Sequence, residues 1–221
     1  MIHRIAQHTI ARSYESQTNV ICHQPSVSGV AILSRGYQYD FSKNSPYVYD
    51  KENRERKART MVAVLKDYFS DRLGECNLLN VGGSAGAIDN FLADYVRRVA
   101  SVDIDDAAVQ HARATFEKPN LEFQVADAMK LPFGDGSFDI VVCSHVYEQV
   151  PDPAKMFEEI ERVLRPGGVC YFSAGNRLMW NEPHYNLPLL AILPRPLAHV
   201  YIRLAGKADF YHEKHLTYWG L

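Results

Sequence analysis

The sequence lacks the features that mark several large classes of protein. Its formal net charge is only -2, so no excess of positive charge indicates a nucleic-acid-binding surface. The first residues lack the long apolar core of a signal peptide, and prolines interrupt the longest apolar stretch, residues 187–204. No cysteine pair has the CxxC spacing of a zinc or redox site, and we expect reduced, packed thiols at Cys22, Cys76, Cys143 and Cys170. These absences predict a cytoplasmic protein with no metal, no nucleic-acid partner and no stable membrane insertion.

What is present is the composition of a globular protein and an alternating pattern of elements. The chain has 221 residues, of which 47% are hydrophobic and 23% charged, which is enough for a sizeable core. Apolar residues at helical spacing predict a helix from Asn53 to about Leu73, with Gly74 as its C-cap. Beyond it, short apolar runs alternate with helical patterns, and the last strand, 169–174, follows a helix that Pro166-Gly167-Gly168 is expected to end. Five strands separated by helices predict a doubly wound α/β sheet, mainly parallel.

The chain is organised around a turn of small residues, Asn80-Val81-Gly82-Gly83-Ser84-Ala85-Gly86. An apolar run enters this turn, and apolar residues at helical spacing follow it, which predicts strand, tight turn and helix. Such a turn presents backbone N–H groups, and no large side chain blocks the approach of a nucleotide-like cofactor. A plain strand-to-helix turn without a ligand is the other interpretation of these residues taken alone.

Acidic residues follow the next two predicted strands. Asp103 ends the second strand 17 positions after Gly86 (103 minus 86), close to the spacing at which an acid meets a ribose in dinucleotide folds. Asp127 ends the third strand, where its carboxylate can accept a hydrogen bond from the exocyclic amine of a purine. Ser144 and His145 follow the fourth strand. Because ligands of such sheets bind beyond the carboxyl ends of the strands, these residues predict one cofactor site.

Five segments of the sequence resemble the class I S-adenosylmethionine-dependent methyltransferases, particularly their broad small-molecule branch. In chain order they are NVGGSAG (80–86), VDID (102–105), ADA with LPF (126–133), SFDIV (137–141) and RVLRPGG (162–168). The resemblance covers about half the chain and implies a Rossmann-like sheet with helices on both faces. It also implies S-adenosylmethionine as cofactor and methyl transfer, by in-line displacement, to a small or medium-sized acceptor. Asn80 stands where the family usually has an acid, and Ser84 where it usually has the middle glycine.

The resemblance also implies which residues bind the cofactor. By this likeness the first glycines lie under the methionine part, Asp103 contacts the ribose, Asp127 and Ala128 surround the adenine, and His145 is near the sulfonium. The complete implied set is Asn80, Gly82, Gly83, Ser84, Gly86, Asp103, Ile104, Asp127, Ala128, Ser144 and His145.

Methyl transfer needs a general base only if the acceptor is a hydroxyl or a protonated amine. The predicted catalytic residues are His145, just after the fourth strand, and His184, just after the fifth. Glu148 is a further candidate base, with a surface acid as its alternative interpretation. The alternative for His145 is a residue that orients or packs at the wall of the pocket.

We predict three parts: an N-terminal arm or lid (1–52), the cofactor-binding methyltransferase core (53–174) and a substrate-side insertion with a truncated C-terminal end (175–221). The apolar residues of 187–204 form a helical cover, a wall for a lipid-like or aromatic acceptor, or a transient membrane contact. The chain is expected to lack the last antiparallel strands of the family's seven-stranded sheet. The fifth strand would then lie at a sheet edge, which favours self-association.

Two other functions fit part of the sequence. A nicotinamide-dependent dehydrogenase explains the glycine turn but neither the residues around Asp127 nor the RPGG segment at 165–168. A non-catalytic S-adenosylmethionine-binding domain of the same fold is compatible with the departures at Asn80 and Ser84. Binding of the cofactor and transfer of its methyl group therefore have to be measured separately.

Overall fold

The computed structural model describes a defined part of the chain: residues 39–44, 46–175, 178, 180–182 and 185–211. The predicted base His184, most of the predicted arm and residues 212–221 lie outside it. The described residues fall into two compact units, one ending at Ser173 and one beginning at Ala174. The proposed division at 52 and 174 by function stays a prediction.

The first unit is built on five strands that all run parallel. They are β1 (Asn77–Val81), β2 (Arg98–Asp103), β3 (Leu121–Val125), β4 (Phe138–Ser144) and β5 (Leu164–Ser173). Their order in the sheet is β3-β2-β1-β4-β5. From β1 the chain adds β2 and then β3 on one side. It then returns to the other side of β1 and adds β4 and then β5. The carboxyl ends of β1 and β4 lie side by side at the point where this order reverses, which is where ligands of open α/β sheets bind.

Two helices precede the first strand and three connect later strands, and several begin at side chains that cap them. The helices are α1 (Phe41–Asn44), α2 (Lys51–Phe69), α3 (Ala87–Leu92), α4 (Asp106–Thr115) and α5 (Pro153–Val163). Asp105 caps α4 by accepting from the Ala108 N–H at 3.2 Å. Asp152 caps α5 by accepting from the Ala154 N–H at 3.1 Å, with Pro153 in the first turn. In both helices the capping acid is the residue directly before the helix.

Helix α2 ends earlier than the sequence predicted. It stops at Phe69, and a 3-10 turn from Ser70 to Glu75 contains Gly74, which had been expected to cap the helix. Ser70 has a φ of 50°, outside the helical range, and its N–H bonds back to the Lys66 carbonyl. This left-handed residue ends the α-helix, while Leu73 still packs into the core through the 3-10 turn.

Strand β5 begins five residues before the predicted start. Leu164 pairs with Phe138, but the next matched pair is Val169 with Ile140, so residues 165–168 face the single residue Asp139. Gly167, with a φ of 80°, allows this irregular segment to fold back into register. The segment that was expected only to end α5 therefore also starts the strand.

Both faces of the sheet are covered. Leu78 and Leu79 are neighbours on β1 and point to opposite faces, yet each is 0% exposed. One face packs against α2 and α3 through Leu65, Phe69 and Leu92. These features confirm a doubly wound α/β sheet with helices on both faces.

Strand β5 lies at one edge of the five-stranded sheet, and no strand among the described residues from 174 onward pairs with it. The expectation that the last antiparallel strands are missing holds for this part of the chain. Self-association through the edge of β5 stays a prediction.

The second unit has a small core of its own. It contains a two-residue antiparallel pair, β6 (Asn181–Glu182) with β7 (Leu187–Pro188), then a 3-10 turn (Leu190–Ile192) and helix α6 (Arg195–Leu204). Leu187, Leu190, Ala198, Ile202 and Tyr211 form its buried cluster. The apolar stretch 187–204 is therefore three short elements, and no described helix has the length and apolar character needed to cross a bilayer.

Candidate functional site

An open cleft lies at the carboxyl ends of β1 and β2. It is bounded by these strand ends and by the segments that follow β3 and β4. Five residues of the predicted cofactor set line it together: Gly82, Asp103, Ile104, Asp127 and Ala128. The remaining lining residues are Val81, Val102, Ala126, Val146, Gln149, Val150 and Pro151.

Asp103 is held in the cleft by the backbone around it. Its Oδ2 accepts from the Ser84 N–H at 2.8 Å, and its Oδ1 accepts from the Asp105 N–H at 2.9 Å. Burial raises the pKa of this carboxyl group above its usual value, although the two backbone hydrogen bonds act in the opposite direction. Each carboxylate oxygen retains acceptor capacity, so the fixed group can receive two hydroxyl donors.

The glycine turn has a backbone that few side chains would allow. Gly82 and Gly86 have φ values of 78° and 82°, and Ser84 between them has a φ of 53°. Ser84 therefore takes the left-handed conformation that a glycine adopts more easily. A Cβ on Gly82 would overlap the side chain of Val146 on the cleft wall. The departure at Ser84 changes the residue type but keeps a left-handed turn.

Gly86 gives a direct test of this packing. An added Cβ would lie 2.8 Å from Ala112 Cβ and 2.8 Å from the Phe123 ring, in a residue with positive φ. We expect Gly86→Ala to lower the free energy of unfolding by about 3 kcal/mol through overpacking and a left-handed alanine. Urea denaturation measures this loss. The matched control is Gly167→Ala, which has a similar φ of 80° but open space around the new methyl group, and equal losses in the two variants would contradict the packing argument.

Asn80 does not line the cleft. It is 3% exposed, and its Nδ2 donates to Asp89 Oδ1 at 2.7 Å beneath the glycine turn. Gly83 also faces inward, because a Cβ there would meet Asp89 and Ser101. A direct contact of Asn80 with the cofactor stays a prediction, whereas its contact with Asp89 is a feature of the fold.

Asp127 shapes the loop after β3. Its Oδ1 accepts from the Met129 N–H at 2.8 Å, and its carbonyl accepts from the Lys130 N–H at 2.9 Å. The Ala126 N–H donates to the Asp103 carbonyl at 3.0 Å, which joins this loop to the end of β2. The two acids at the strand ends therefore belong to one continuous wall of the cleft.

His145 and Glu148 were separate candidates in the sequence, and the structure pairs them. His145 Nδ1 lies 3.1 Å from Glu148 Oε1. His145 has a φ of 58°, and its backbone N–H donates to the Ser173 carbonyl at 2.8 Å, which anchors it beyond the ends of β4 and β5. Its side chain is 49% exposed while that of Glu148 is 1% exposed, so an accessible imidazole is held by a buried carboxyl group. Glu148 is thus not the surface acid that one interpretation expected.

Ser144 and His145 do not line the cleft themselves. Ser144 pairs with Ser173 at the end of the sheet, and the residue after His145, Val146, is part of the cleft wall. The pair of His145 and Glu148 therefore adjoins the cleft along the chain. No group of three or more potential metal ligands occurs among the residues that the structure describes.

Sequence reasoning missed two features of this site. Asp89 was not named, although an acid in the first turn of α3 could have indicated it. The wall formed by Val146 and by residues 149–151 was also missed, because that segment has no regular periodicity. Asp89 and the wall residues come shortly after predicted site residues in the chain. Only the folded backbone shows the direction of their side chains.

The residues of the cleft fit a nucleoside-containing cofactor. Val102, Ile104 and Val150 provide apolar walls, and Asp103 provides a fixed acceptor for vicinal hydroxyl groups. Val81 and Gly82 leave the backbone of the turn open on the cleft side. Asp103 would hold the ribose, and residues 126–128 would border the base.

Comparison with known proteins defines the class of this domain. Residues 79–172 match the methyltransferase domain family. A Mycolicibacterium smegmatis protein named as a probable S-adenosylmethionine-dependent methyltransferase is 37% identical over 126 residues, 57% of this chain and 48% of that protein. A ubiquinone biosynthesis O-methyltransferase of Coxiella burnetii is 29% identical over 153 residues, 65% of this chain and 60% of the enzyme. The chain spans about half the length of these curated relatives.

Solved structures share the fold. The YcgJ protein of Bacillus subtilis matches with a TM-score of 0.53 at 21% identity, over 73% of this chain and 63% of that one. A chain of a Haloferax volcanii complex, which contains the Trm112 methyltransferase activator and a methyltransferase candidate, matches with a TM-score of 0.56 at 21% identity. That match covers 83% of this chain and 73% of the other.

The fold is a Rossmann-like domain, and the residues of its cleft suit a nucleoside. The matched residues 79–172 are similar to the class I S-adenosylmethionine-dependent methyltransferases, whose cofactor is S-adenosylmethionine.

Proposed function

We propose that the protein transfers a methyl group from S-adenosylmethionine to an oxygen atom of a small or medium-sized acceptor. The observation that carries this proposal is the pairing of His145 with buried Glu148 directly beside the wall of the cleft. A base of this kind is useful for a hydroxyl acceptor, which must lose its proton during transfer. The name of the Coxiella burnetii relative, an O-methyltransferase, supports oxygen as the accepting atom.

The arrangement assigns each residue a simple task. When bound, S-adenosylmethionine supplies an electrophilic methyl group on a sulfonium. Glu148 Oε1 accepts from the His145 Nδ1–H, which fixes the tautomer and leaves the lone pair on Nε2. Nε2 would then accept the proton that the acceptor hydroxyl loses on methylation. The remaining work is alignment of the acceptor and exclusion of water.

Helix α6 of the second unit has an exposed apolar surface. The second unit exposes Leu197, Val200 and Leu204, which recur at helical spacing on α6 and are 57%, 46% and 82% exposed. Such a surface supports a lipid-like or aromatic acceptor rather than a highly polar one. His184 stays a second candidate for the base from this part of the chain.

Two measurements test the proposed function in order. Isothermal titration with S-adenosylmethionine should show saturable binding to the purified chain. Transfer of a labelled methyl group into a small-molecule extract should then give a labelled product that alkaline stability and mass spectrometry identify as a methyl ether. Absence of binding would exclude both the enzyme and the non-catalytic binding domain, whereas binding without transfer to any extract would favour the latter.

A further inference from the structure

A buried polar cluster lies beneath the glycine turn. Asn80 on β1, Asp89 on α3 and Ser101 on β2 are 3%, 0% and 3% exposed. Asn80 Nδ2 donates to Asp89 Oδ1 at 2.7 Å. A carboxyl group buried in this way is costly unless its surroundings stabilise it, and a hydrophobic residue would fill the same space without that cost. Packing alone therefore does not account for a carboxyl group at this position.

The cluster touches the turn directly. A Cβ on Gly83 would lie 2.8 Å from Asp89 Oδ2 and would overlap the Ser101 hydroxyl. The backbone at Gly83 is thus packed against the carboxyl group of Asp89. The neighbouring residue Gly82 lines the cleft. Asp89 lies immediately behind the surface that faces a bound cofactor.

The charge of this carboxyl group changes near neutral pH. Burial raises the pKa of Asp89 to about 7, although the hydrogen bond from Asn80 acts to lower it. Asp103, on the neighbouring strand, is the charged group that acts on Asp89, and its negative charge raises the pKa further. Asn80 and Ser101, which face Asp89 from β1 and β2, carry no charge.

We propose that Asp89 is a positioning residue for S-adenosylmethionine. Its buried carboxyl group, supplied from α3 in place of an acid at position 80, supports the glycine turn and favours a cationic cofactor in the cleft. S-adenosylmethionine carries a sulfonium charge that its product S-adenosylhomocysteine lacks, so an ionised Asp89 favours the substrate over the product by Coulomb attraction. The inference rests on the proposed function, because it concerns binding of that cofactor.

Titration calorimetry of Asp89→Asn against the unchanged protein tests the inference. The amide keeps an oxygen that can accept from Asn80, so the turn retains its contact. We expect the variant to bind S-adenosylmethionine on the order of tenfold more weakly near pH 8.5, and about equally near pH 6, where Asp89 is largely protonated. Asp103 and the ligand titrate in both proteins, so the ratio of the two dissociation constants isolates Asp89. For S-adenosylhomocysteine the ratio should stay near one at both pH values.

Two controls make the outcome decisive. Asp94→Asn removes an exposed acid that pairs with Lys118, and it should leave both affinities unchanged. The double variant Asn80→Asp with Asp89→Asn exchanges the carboxyl and amide across the same contact, and it should recover most of the lost affinity. A loss in Asp89→Asn that is equal at both pH values and for both ligands would overturn the inference in favour of a purely structural role. A folded double variant that binds no better than Asp89→Asn would overturn it as well.

One result separates this inference from the function on which it rests. If the unchanged protein does not bind S-adenosylmethionine, the proposed function fails. If it binds, and Asp89→Asn binds equally well at every pH, only the role of Asp89 fails.

Discussion

Asp103→Ala is expected to lower the affinity for S-adenosylmethionine by at least about a hundredfold. The carboxylate can accept two hydroxyl hydrogen bonds, and hydrogen bonds to charged groups contribute about 1.5–3 kcal/mol each. The substitution also leaves the Ser84 and Asp105 N–H groups without the acceptor that they share. Ser84 is part of the glycine turn, so the turn also loses one of its hydrogen bonds to the end of β2. Titration calorimetry measures the loss of affinity.

Two further variants sharpen this test. Asp103→Asn keeps the size of the side chain, but its amide N–H₂ must face one of two backbone N–H donors, so we expect a loss close to that of alanine. Asp106→Ala removes an exposed neighbouring acid and should leave the affinity unchanged. A folded Asp103→Ala protein, verified by its thermal transition, that binds as tightly as the parent would refute the assignment of Asp103 to the ribose.

The sequence predicted the parts of the fold that local chemistry determines. Asp105 and Asp152 cap their helices because a short acid before a helical pattern satisfies the first free N–H groups wherever the helix packs. Asp103 was predicted to end the second strand, and it is the last residue of β2. Strand β5 was placed too late, because its start depends on pairing with β4 across residues 165–168. Pairing between distant strands leaves no local signal.

The two departures from the family turn show the same limit. The sequence shows that Ser84 replaces a glycine, yet only the backbone reveals that it still adopts a left-handed conformation with a φ of 53°. Asn80 stands in place of an acid, and only the fold brings Asp89 within 2.7 Å of it. Burial and side-chain direction decide whether a substitution removes a chemical group or moves it to another element. Neither property can be read from the turn by itself.

His145→Asn is expected to reduce the turnover number by about 10² to 10⁴, the range that a general base contributes. Asparagine tolerates the left-handed conformation that His145 adopts, with a φ of 58°, so the change removes the imidazole with little added strain. Because the imidazole acts on the acceptor proton, the dissociation constant of S-adenosylmethionine should change much less than the turnover number. Rates are measured with the acceptor that the labelled-methyl experiment identifies.

Glu148→Gln tests whether the pair acts as a unit. Glu148 contacts the imidazole only through Oε1, and its Oε2 is buried without a hydrogen bond to any described residue. An amide can still accept from Nδ1–H but stabilises the protonated ring less, so we expect a smaller loss of turnover than in His145→Asn. In a protein that already carries His145→Asn, Glu148→Gln should reduce turnover little further, because residues that act through one another have non-additive effects.

The matched control for His145→Asn is His111→Asn on α4. The ring of His111 contacts Tyr49 and Thr115, away from the pair. Equal turnover in His145→Asn and His111→Asn would show that His145 is not the base, and the proton would then have to leave by another group.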